Sequence, residues 1–207
     1  MAIEAGRVGT DQVLGRSDLL TNNAEVKGQA IRARRRYVLE KFGEPGLQAL
    51  AKSLDPPSLD YLNSTVLPSS WYQLGPLYQL DRAIVGTLMK GDRSQMRQLG
   101  RDVAQYDLTT LYKLFFRIGS PSFILGRVAV AFSQYTRPGK MDSEAGSDHE
   151  RTVEMSGVVV AGYMCAEVYS GWMEAAVTMS GGKSPHAQHS ACQHRGDRSC
   201  IWKVSWS

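Results

Sequence analysis

The side chains best suited to chemistry lie near the end of the 207-residue chain, in the stretch HSACQHRGDRSCIWKVSW (189–206). This stretch contains Cys192 and Cys200, two of the three cysteines, and His189 and His194, two of the four histidines. Thiolates and imidazoles are the ligands that zinc takes in proteins, usually four of them in a tetrahedron. Two neighbouring thiols can instead form a disulfide, so the stretch has more than one chemical interpretation.

A hairpin with Gly196-Asp197 at its turn would bring Cys192 and Cys200 together, since residues equally distant from a turn face each other across the ladder. Cys165, on the predicted helix before the hairpin, can supply a third ligand. Three interpretations stay open at this point. They are a zinc site, a redox disulfide between Cys192 and Cys200, and three ordinary buried thiols, which behave as small hydrophobic residues.

His189 is the best candidate for a fourth ligand, because it precedes Cys192 by three residues at the start of the same predicted strand. His186 and His194 are the substitutes. Strict alternation along a strand would place His189 and Cys192 on opposite faces, so the zinc interpretation requires a β-bulge or an irregular start of the strand.

The order of the predicted elements indicates an α+β fold, in which an N-terminal helical part precedes a strand, a helix and a β-hairpin that form an antiparallel sheet. We predict a flexible or docking arm over 1–24 and a single α+β domain over 25–207. The helical part covers 25–138, and the strand–helix–hairpin part covers 139–207.

Local signals set the expected element boundaries. Gly43 and Pro45 predict the end of the first helix. A single helix is expected from Pro121 to the turn at 138–139, and a charged loop over 140–151. The hairpin strands are expected at about 184–194 and 199–206.

Aromatic residues recur on the predicted helices, and most of them have the spacing of a hydrophobic core. The same residue types build apolar ligand cavities. The residues that could line such a pocket are Phe115, Phe123, Phe132, Tyr135 and Trp172.

Composition and charge narrow the possible functions. The net charge of +4 is too small and too scattered for a dedicated nucleic-acid binder. The longest apolar run, 157–168, is too short to cross a bilayer, so we expect a cytoplasmic protein without a membrane segment. No nucleophile–base motif stands out, and we expect no enzymatic activity.

The basic run on the first helix, Arg32 and Arg34–Arg36, admits two interpretations. It can be a solvated helix face, with Glu40 pairing to Arg36 across one helical turn. Alternatively, Arg32, Arg35 and Arg36 can contact a partner or a phosphate group.

Several of these features together resemble the vinyl-4-reductase-type small-molecule-binding domain, of the superfamily that groups ligand-binding domains of NO signalling with TRAPP-type trafficking subunits. The resemblance lies in Cys165 before the Gly171-Trp172 step, in His189 before Cys192, and in the C-x₃-G-x₃-C pattern that ends at Cys200. The helical part is also similar to an uncharacterised myxobacterial paralogous family, through KFGEPG (41–46) and LGRDVA (99–104).

The resemblance implies a structural zinc held by Cys165, His189, Cys192 and Cys200, with histidine where the aromatic sensors have an acidic ligand. It also implies a homodimer. The function that follows is a non-enzymatic cytoplasmic sensor or regulatory module, which binds a small apolar or aromatic molecule and signals through an unidentified partner protein. The alternatives are a ligand-free adaptor of the same TRAPP-like fold and an accessory to vinyl reduction on a tetrapyrrole.

Overall fold

The computed structural model describes residues 23–110, 119–158 and 164–207, without the side chains of 107–110. Most of the predicted arm (1–22) and Phe115 lie outside these ranges. The elements follow in the order β1 (Glu25–Lys27), α1 (Gly28–Ala51), α2 (Pro56–Asn63), β2 (Trp71–Gln73), α3 (Leu74–Ala83), α4 (Met96–Thr110), α5 (Pro121–Leu125), α6 (Val128–Tyr135), β3 (Thr136–Arg137), β4 (Lys140–Ala145), β5 (Glu150–Ser156), α7 (Ser170–Met179), β6 (His186–Ala191) and β7 (Cys200–Ser205). The α+β class expected from the sequence is confirmed.

Helix α1 carries the break that Gly43 predicts. Gly43 has φ 64° and ψ −170°, so helical geometry stops there and resumes before Pro45, which lies in the second part. A positive φ is strained for residues with a Cβ, and glycine adopts it freely. The two segments therefore meet at an angle within one continuous element.

Two further helices contain turns of π-helix. The segment Ile84–Leu88 continues α3, and the segment Met164–Tyr169 leads directly into α7. Single π-helical turns inside α-helices often occur at functional sites. The second segment carries Cys165 and several residues of the candidate site described below.

The expectation of one helix from Pro121 onward is wrong, because the structure has two short helices, α5 and α6, separated at Gly126 and Arg127. The charged loop expected over 140–151 is also wrong in large part. Its first residues form β4, which pairs antiparallel with β5 from Lys140 opposite Ser156 to Ala145 opposite Arg151. The burial pattern explains why the strand was not predicted. Met141 is the only buried residue in β4, and a single apolar residue does not produce the alternation by which a strand is identified.

The C-terminal half is a four-stranded antiparallel sheet with the order β4-β5-β7-β6. Strand β7 occupies a central position and alternates as predicted, with Cys200, Trp202 and Val204 fully buried. Helices α4 and α7 lie together on this half. Arg97 on α4 joins them by donating to Glu167 and to Glu174, both at 2.9 Å.

The helical half is tied together by a small sheet that the sequence did not predict, with the order β2-β1-β3. Trp71 in β2 lies between two cations, with Lys27 Nζ 4.0 Å and the Arg137 guanidinium carbon 4.2 Å from the ring centre. Contacts of this kind contribute roughly 0.5–1 kcal/mol each at exposed sites. They hold three strands of only two or three residues together. Among the described residues, no helix has both the length and the apolar character that crossing a membrane requires.

Candidate functional site

An apolar cavity of about 100 Å³ lies between the helical half and the C-terminal half. Its walls come from the first strand and helix, from α3, α4 and α6, and from the π-helical segment with α7. The lining residues are Val26, Ala30, Arg34, Leu74, Leu77, Val103, Val128, Ala131, Phe132, Tyr135, Thr136, Met141, Met164, Val168, Tyr169, Trp172 and Met173. Most of these side chains are aliphatic, aromatic or thioether, the types from which sites for small apolar molecules are built.

Among the described residues of the cavity wall, the charged one is Arg34, and it is paired. Its Nε donates to Asp81 Oδ1 at 3.0 Å and its Nη2 donates to Asp81 Oδ2 at 3.1 Å. Both side chains are buried, at 3% and 0% exposure. Burial raises the pKa of Asp81, and the guanidinium opposes that effect. Protonating Asp81 would leave the Arg34 charge unpaired in the interior, which costs several kcal/mol, so we assign the pair as ionised and neutral overall.

The hydroxyl groups in the cavity wall are also engaged. Tyr135 accepts a hydrogen bond from Gln29 Nε2 at 3.1 Å. Tyr169 is hydrogen-bonded to Thr136, and burial raises the pKa of Tyr169 well above its ordinary value. The cavity therefore presents neutral groups whose hydrogen bonds are made within the protein.

A second constellation lies behind the cavity. The ligand atoms of Cys165, His189, Cys192 and Cys200 all lie within 4.8 Å of one another. The Sγ atoms of Cys165 and Cys200 are 3.3 Å apart, and all three cysteines are free thiols. The structure thus brings together all four residues that the sequence put forward as metal ligands.

The irregularity that this arrangement requires is present in the strand pairing. The pairing of β6 with β7 shifts register between His189 and Ala191, which turns His189 and Cys192 toward the same side. The turn is closed by Gly196, in the left-handed region at φ 96°, and by the backbone N–H of Cys192, which donates to Asp197 Oδ2 at 2.6 Å.

Trp202 positions the cluster against the rest of the protein. The His189 ring stacks on the Trp202 ring with their centres 4.9 Å apart. The indole Nε1 of Trp202 donates to the carbonyl oxygen of Cys165 at 3.1 Å. On its other side, the Tyr169 ring meets Trp202 edge-on at 5.9 Å. Aromatic contacts therefore run from the cluster to a cavity-lining residue.

The thiols of the cluster differ in acidity. Hydrogen bonds from Cys165 and then Cys200 lower the pKa of Cys192 strongly. Burial is the largest cause that raises the pKa of Cys165. Hydrogen bonding among the thiols thus makes one of them easier to ionise than the others, and thiolate is the form that binds metal.

The structure separates the predicted pocket residues. Phe132, Tyr135 and Trp172 line the cavity. Phe123 does not line it, because its side chain is 42% exposed on the outside of α5. Phe115 lies outside the described residues.

The predicted partner-contact residues lie on the outer side of α1. Arg32 and Arg35 are exposed. Arg36 is half-buried, with its guanidinium carbon 3.8 Å from the centre of the Tyr106 ring.

Arg34 and Asp81 are the site residues that the sequence reasoning missed. Arg34 was grouped with its exposed neighbours, although it follows Ile31 by three residues and therefore lies on the buried face. Asp81 follows Leu77 by four residues in the same way. Two opposite charges on two apolar helix faces would have indicated a buried pair, because charges are rarely buried without a partner.

Comparison with known proteins finds similarity in structure alone. No family model matches the sequence, and no curated protein matches it. An H-NOX protein from S. oneidensis, solved in the Fe(II)NO ligation state, superimposes with a TM-score of 0.69 and 11% identity over 87% of this chain and 99% of that one. The chain has the H-NOX fold. Unliganded Fe(II) H-NOX from K. algicida gives a TM-score of 0.67 at 11% identity, over 87% of this chain and 96% of that one.

A third H-NOX domain is described as oxygen-binding and related to soluble guanylate cyclases. It gives a TM-score of 0.63 at 9% identity, over 87% of this chain and 95% of that one. The α+β class expected from the sequence agrees with these structures. The finer resemblance to vinyl-4-reductase and TRAPP-type proteins is not supported.

The prediction of structural zinc as the cofactor is wrong. The solved structures with this fold are described in iron(II) ligation states, with NO in one case and unliganded in another, and one is described by the distortion of its heme. The group that this fold implies is heme. The prediction failed because cysteine and histidine spacing identifies a donor set but does not identify the cofactor of a fold.

Proposed function

We propose that residues 25–207 form a non-enzymatic sensor domain that binds a small molecule in the cavity and passes the signal to a partner protein. The observation that carries the proposal is the position of the cavity. The walls of the cavity come from both halves of the protein, so a bound ligand contacts helices of both halves at the same time. Ligand sites are commonly found at such junctions between packed units.

Heme, which the fold implies, does not fit the residues of this cavity. None of the chain's histidines and cysteines is among the lining residues, and these two residue types hold most heme irons. We therefore derive no step through heme, and the proposal concerns what the side chains of this chain do.

The aromatic and methionine side chains of the wall would surround the ligand and exclude water. The unbranched thioether side chains of Met141 and Met164 suit a site that must make small adjustments around its occupant. Phe132 contacts Tyr169 at a ring distance of 6.5 Å, so a displacement of Phe132 is passed to the π-helical segment. The neutral Arg34–Asp81 pair fixes the position of α1 relative to α3 while this happens.

Filling the cavity tests the proposal. We expect benzene, the probe, to bind the purified chain in calorimetric or NMR titration. The variant Ala131→Leu places a larger side chain in the cavity wall and should weaken binding by at least about tenfold, which corresponds to 1.4 kcal/mol. Val103→Leu fills the wall from α4 and serves as a second variant if Ala131→Leu folds poorly.

Ala129→Leu is the matched control, because Ala129 lies on the same helix and is exposed. It should bind benzene as the unmodified chain does. Failure of the unmodified chain to bind, or equal loss in both α6 variants, would contradict a ligand site in this cavity.

We also propose that the cluster of Cys165, His189, Cys192 and Cys200 is a metal-ligand site, without assigning its ion and without retaining zinc as the cofactor. The support is the 4.8 Å limit on the distances between the four ligand atoms, within the reach of a single ion. Elemental analysis should find one ion per chain that is lost in Cys192→Ser. Folded protein without metal would contradict this proposal and leave the cavity proposal intact.

The partner surface that we propose is the exposed side of α1, where Arg32, Arg35 and Arg36 lie near the half-exposed Leu39 and Tyr106. Exchange of Arg32 and Arg35 for glutamate should abolish capture of a partner while leaving benzene binding unchanged. A homodimer and a cytoplasmic location stay proposals. Light scattering tests the first, and the three free thiols are consistent with the second.

A further inference from the structure

Heme iron needs an axial ligand, and the cavity lacks the side chains that most often supply one. Proteins hold heme through histidine, cysteine thiolate, tyrosine, or methionine together with histidine. All four histidines and all three cysteines of the chain lie within the described residues, away from the cavity lining. The segments 1–22, 111–118 and 159–163 contain neither residue type. No histidine or cysteine of this chain can therefore complete the site from those segments.

The tyrosines and methionines of the wall do not replace the missing ligand. The hydroxyl groups of Tyr135 and Tyr169 are bonded within the protein, to Gln29 and Thr136. A methionine thioether serves heme iron as the companion of a histidine, and the described lining holds none.

The cavity is also too small for a tetrapyrrole. A cavity of roughly 150 Å³ with an apolar wall admits benzene or xenon, and the volume of this one, about 100 Å³, is of the same order. Heme contains four pyrrole rings and is several times larger than benzene. Making room for it would displace Phe132 and Met173, which are 5% and 2% exposed and belong to the main core.

The charge of the wall does not suit an anionic ligand. Heme carries two propionate groups, which need cationic or hydrogen-bonding partners when they are buried. Among the described residues, Arg34 is the cation in the lining, and its Nε and Nη2 already donate to Asp81 at 3.0 and 3.1 Å. A carboxylate entering the cavity would have to compete with Asp81 for the same guanidinium.

We infer that the cavity takes a small, uncharged, apolar molecule directly, without heme between the ligand and the protein. The inference rests on the sensor function proposed above and narrows its ligand to a chemical class. Recognition would come from shape and from contact with the aromatic and thioether wall, with the polar groups of the wall already satisfied.

Two titrations of the purified full chain test the inference. In the first, hemin is added, and the heme absorption band and bound stoichiometry are measured for the unmodified chain, Ala131→Leu and Ala129→Leu. We expect no stoichiometric complex in any of them. One heme per chain that is lost in Ala131→Leu and kept in Ala129→Leu would overturn the inference.

In the second titration, benzene is compared with benzoate, which has the same ring and one added carboxylate. Benzoate should bind at least about tenfold more weakly, because an unpaired carboxylate is costly to bury. Equal affinity for the two would overturn the uncharged ligand class.

The two proposals fail in different ways. Heme binding in the cavity would contradict the inference that the ligand binds directly to the protein, but it would not contradict the proposed sensor function. Absence of binding by benzene, benzoate and hemin alike removes the sensor function itself.

Discussion

At the scale of single residues, the most consequential feature is the buried ion pair beside the cavity. Arg34 and Asp81 are both buried, and their two parallel bonds neutralise the wall next to the ligand. A buried pair of this kind adds little net stability compared with apolar residues, but removal of one partner is costly. Its role is therefore to fix geometry.

Asp81→Asn should destabilise the protein by about 3–5 kcal/mol, because it leaves the Arg34 charge unpaired in the interior. Glu40→Gln is the comparison, since it breaks the half-exposed pair of Glu40 with Arg36, 3.9 Å apart. Its expected cost is at most about 0.5 kcal/mol. Urea unfolding of both variants measures the difference, and similar costs would contradict the assignment of Arg34–Asp81 as a buried ion pair.

Tyr61 makes the free energy of unfolding vary with pH in the alkaline range. Burial is the main cause that raises the pKa of Tyr61 from 10.0 to about 12, and the neutral hydroxyl donates a hydrogen bond to the carbonyl oxygen of Gln73. Because tyrosine ionises at a lower pH in the unfolded chain, the stability from this residue is complete below pH 10 and is lost as the pH rises through 12.

Tyr61→Phe should therefore flatten the fall of the unfolding free energy across that interval. It should also lower stability near neutral pH by about 1 kcal/mol through the lost hydrogen bond. Tyr37 and Tyr169, whose pKa values burial also raises, keep part of the alkaline slope. An unchanged slope would show that Tyr61 is accessible to water in the folded protein.

At the scale of elements, the contact of α4 with the segment that leads into α7 depends on two glycines. A Cβ on Gly100 would overlap the carbonyl oxygen of Val168, and a Cβ on Gly171 would overlap that of Arg97. Both obstacles are backbone atoms, so neither can move aside by changing rotamer. The close approach lets Arg97 reach Glu167 and Glu174.

Gly100→Ala should consequently cost about 2 kcal/mol or more, in the range of overpacking. Gly86→Ala is the control, because a Cβ there meets nothing within 4 Å and alanine favours helical geometry. It should be neutral or slightly stabilising. Thermal unfolding distinguishes the two variants, and equal midpoints would contradict close helix packing at Gly100.

Elements with strong local signals could be predicted from the sequence, and those defined by pairing could not. The hairpin around Gly196 was predicted because its turn residues and the alternation of the strand that begins at Cys200 specify it locally. Strand β4 was missed because its exposed residues show no alternation. Strand β1, with three residues, exists only through its pairing with β2 and β3.

At the scale of the whole molecule, the cavity lies beyond local prediction. Its wall combines Ala30, Val103, Ala131 and Trp172, which are far apart in the sequence and meet only in the folded chain. Of the aromatic residues that the sequence put forward, Phe132 and Tyr135 border the cavity, while Phe123 is exposed on α5. Periodicity cannot distinguish a side chain that fills a core from one that borders a void, because the same residue types do both.

The six-residue π-helical segment Met164–Tyr169 contributes residues both to the cavity wall and to the cysteine–histidine cluster. Cys165 faces the thiols, while Met164 and Val168 face the void. We expect a molecule bound in the cavity, in contact with Met164 and Val168, to change the rate at which a small electrophile reacts with the Cys165 sulfur. Labelling rates of Cys165 would then report occupancy of the cavity. If a molecule in the cavity changes the affinity of the four-residue cluster for an ion, the ion changes the affinity of the cavity for that molecule by the same factor.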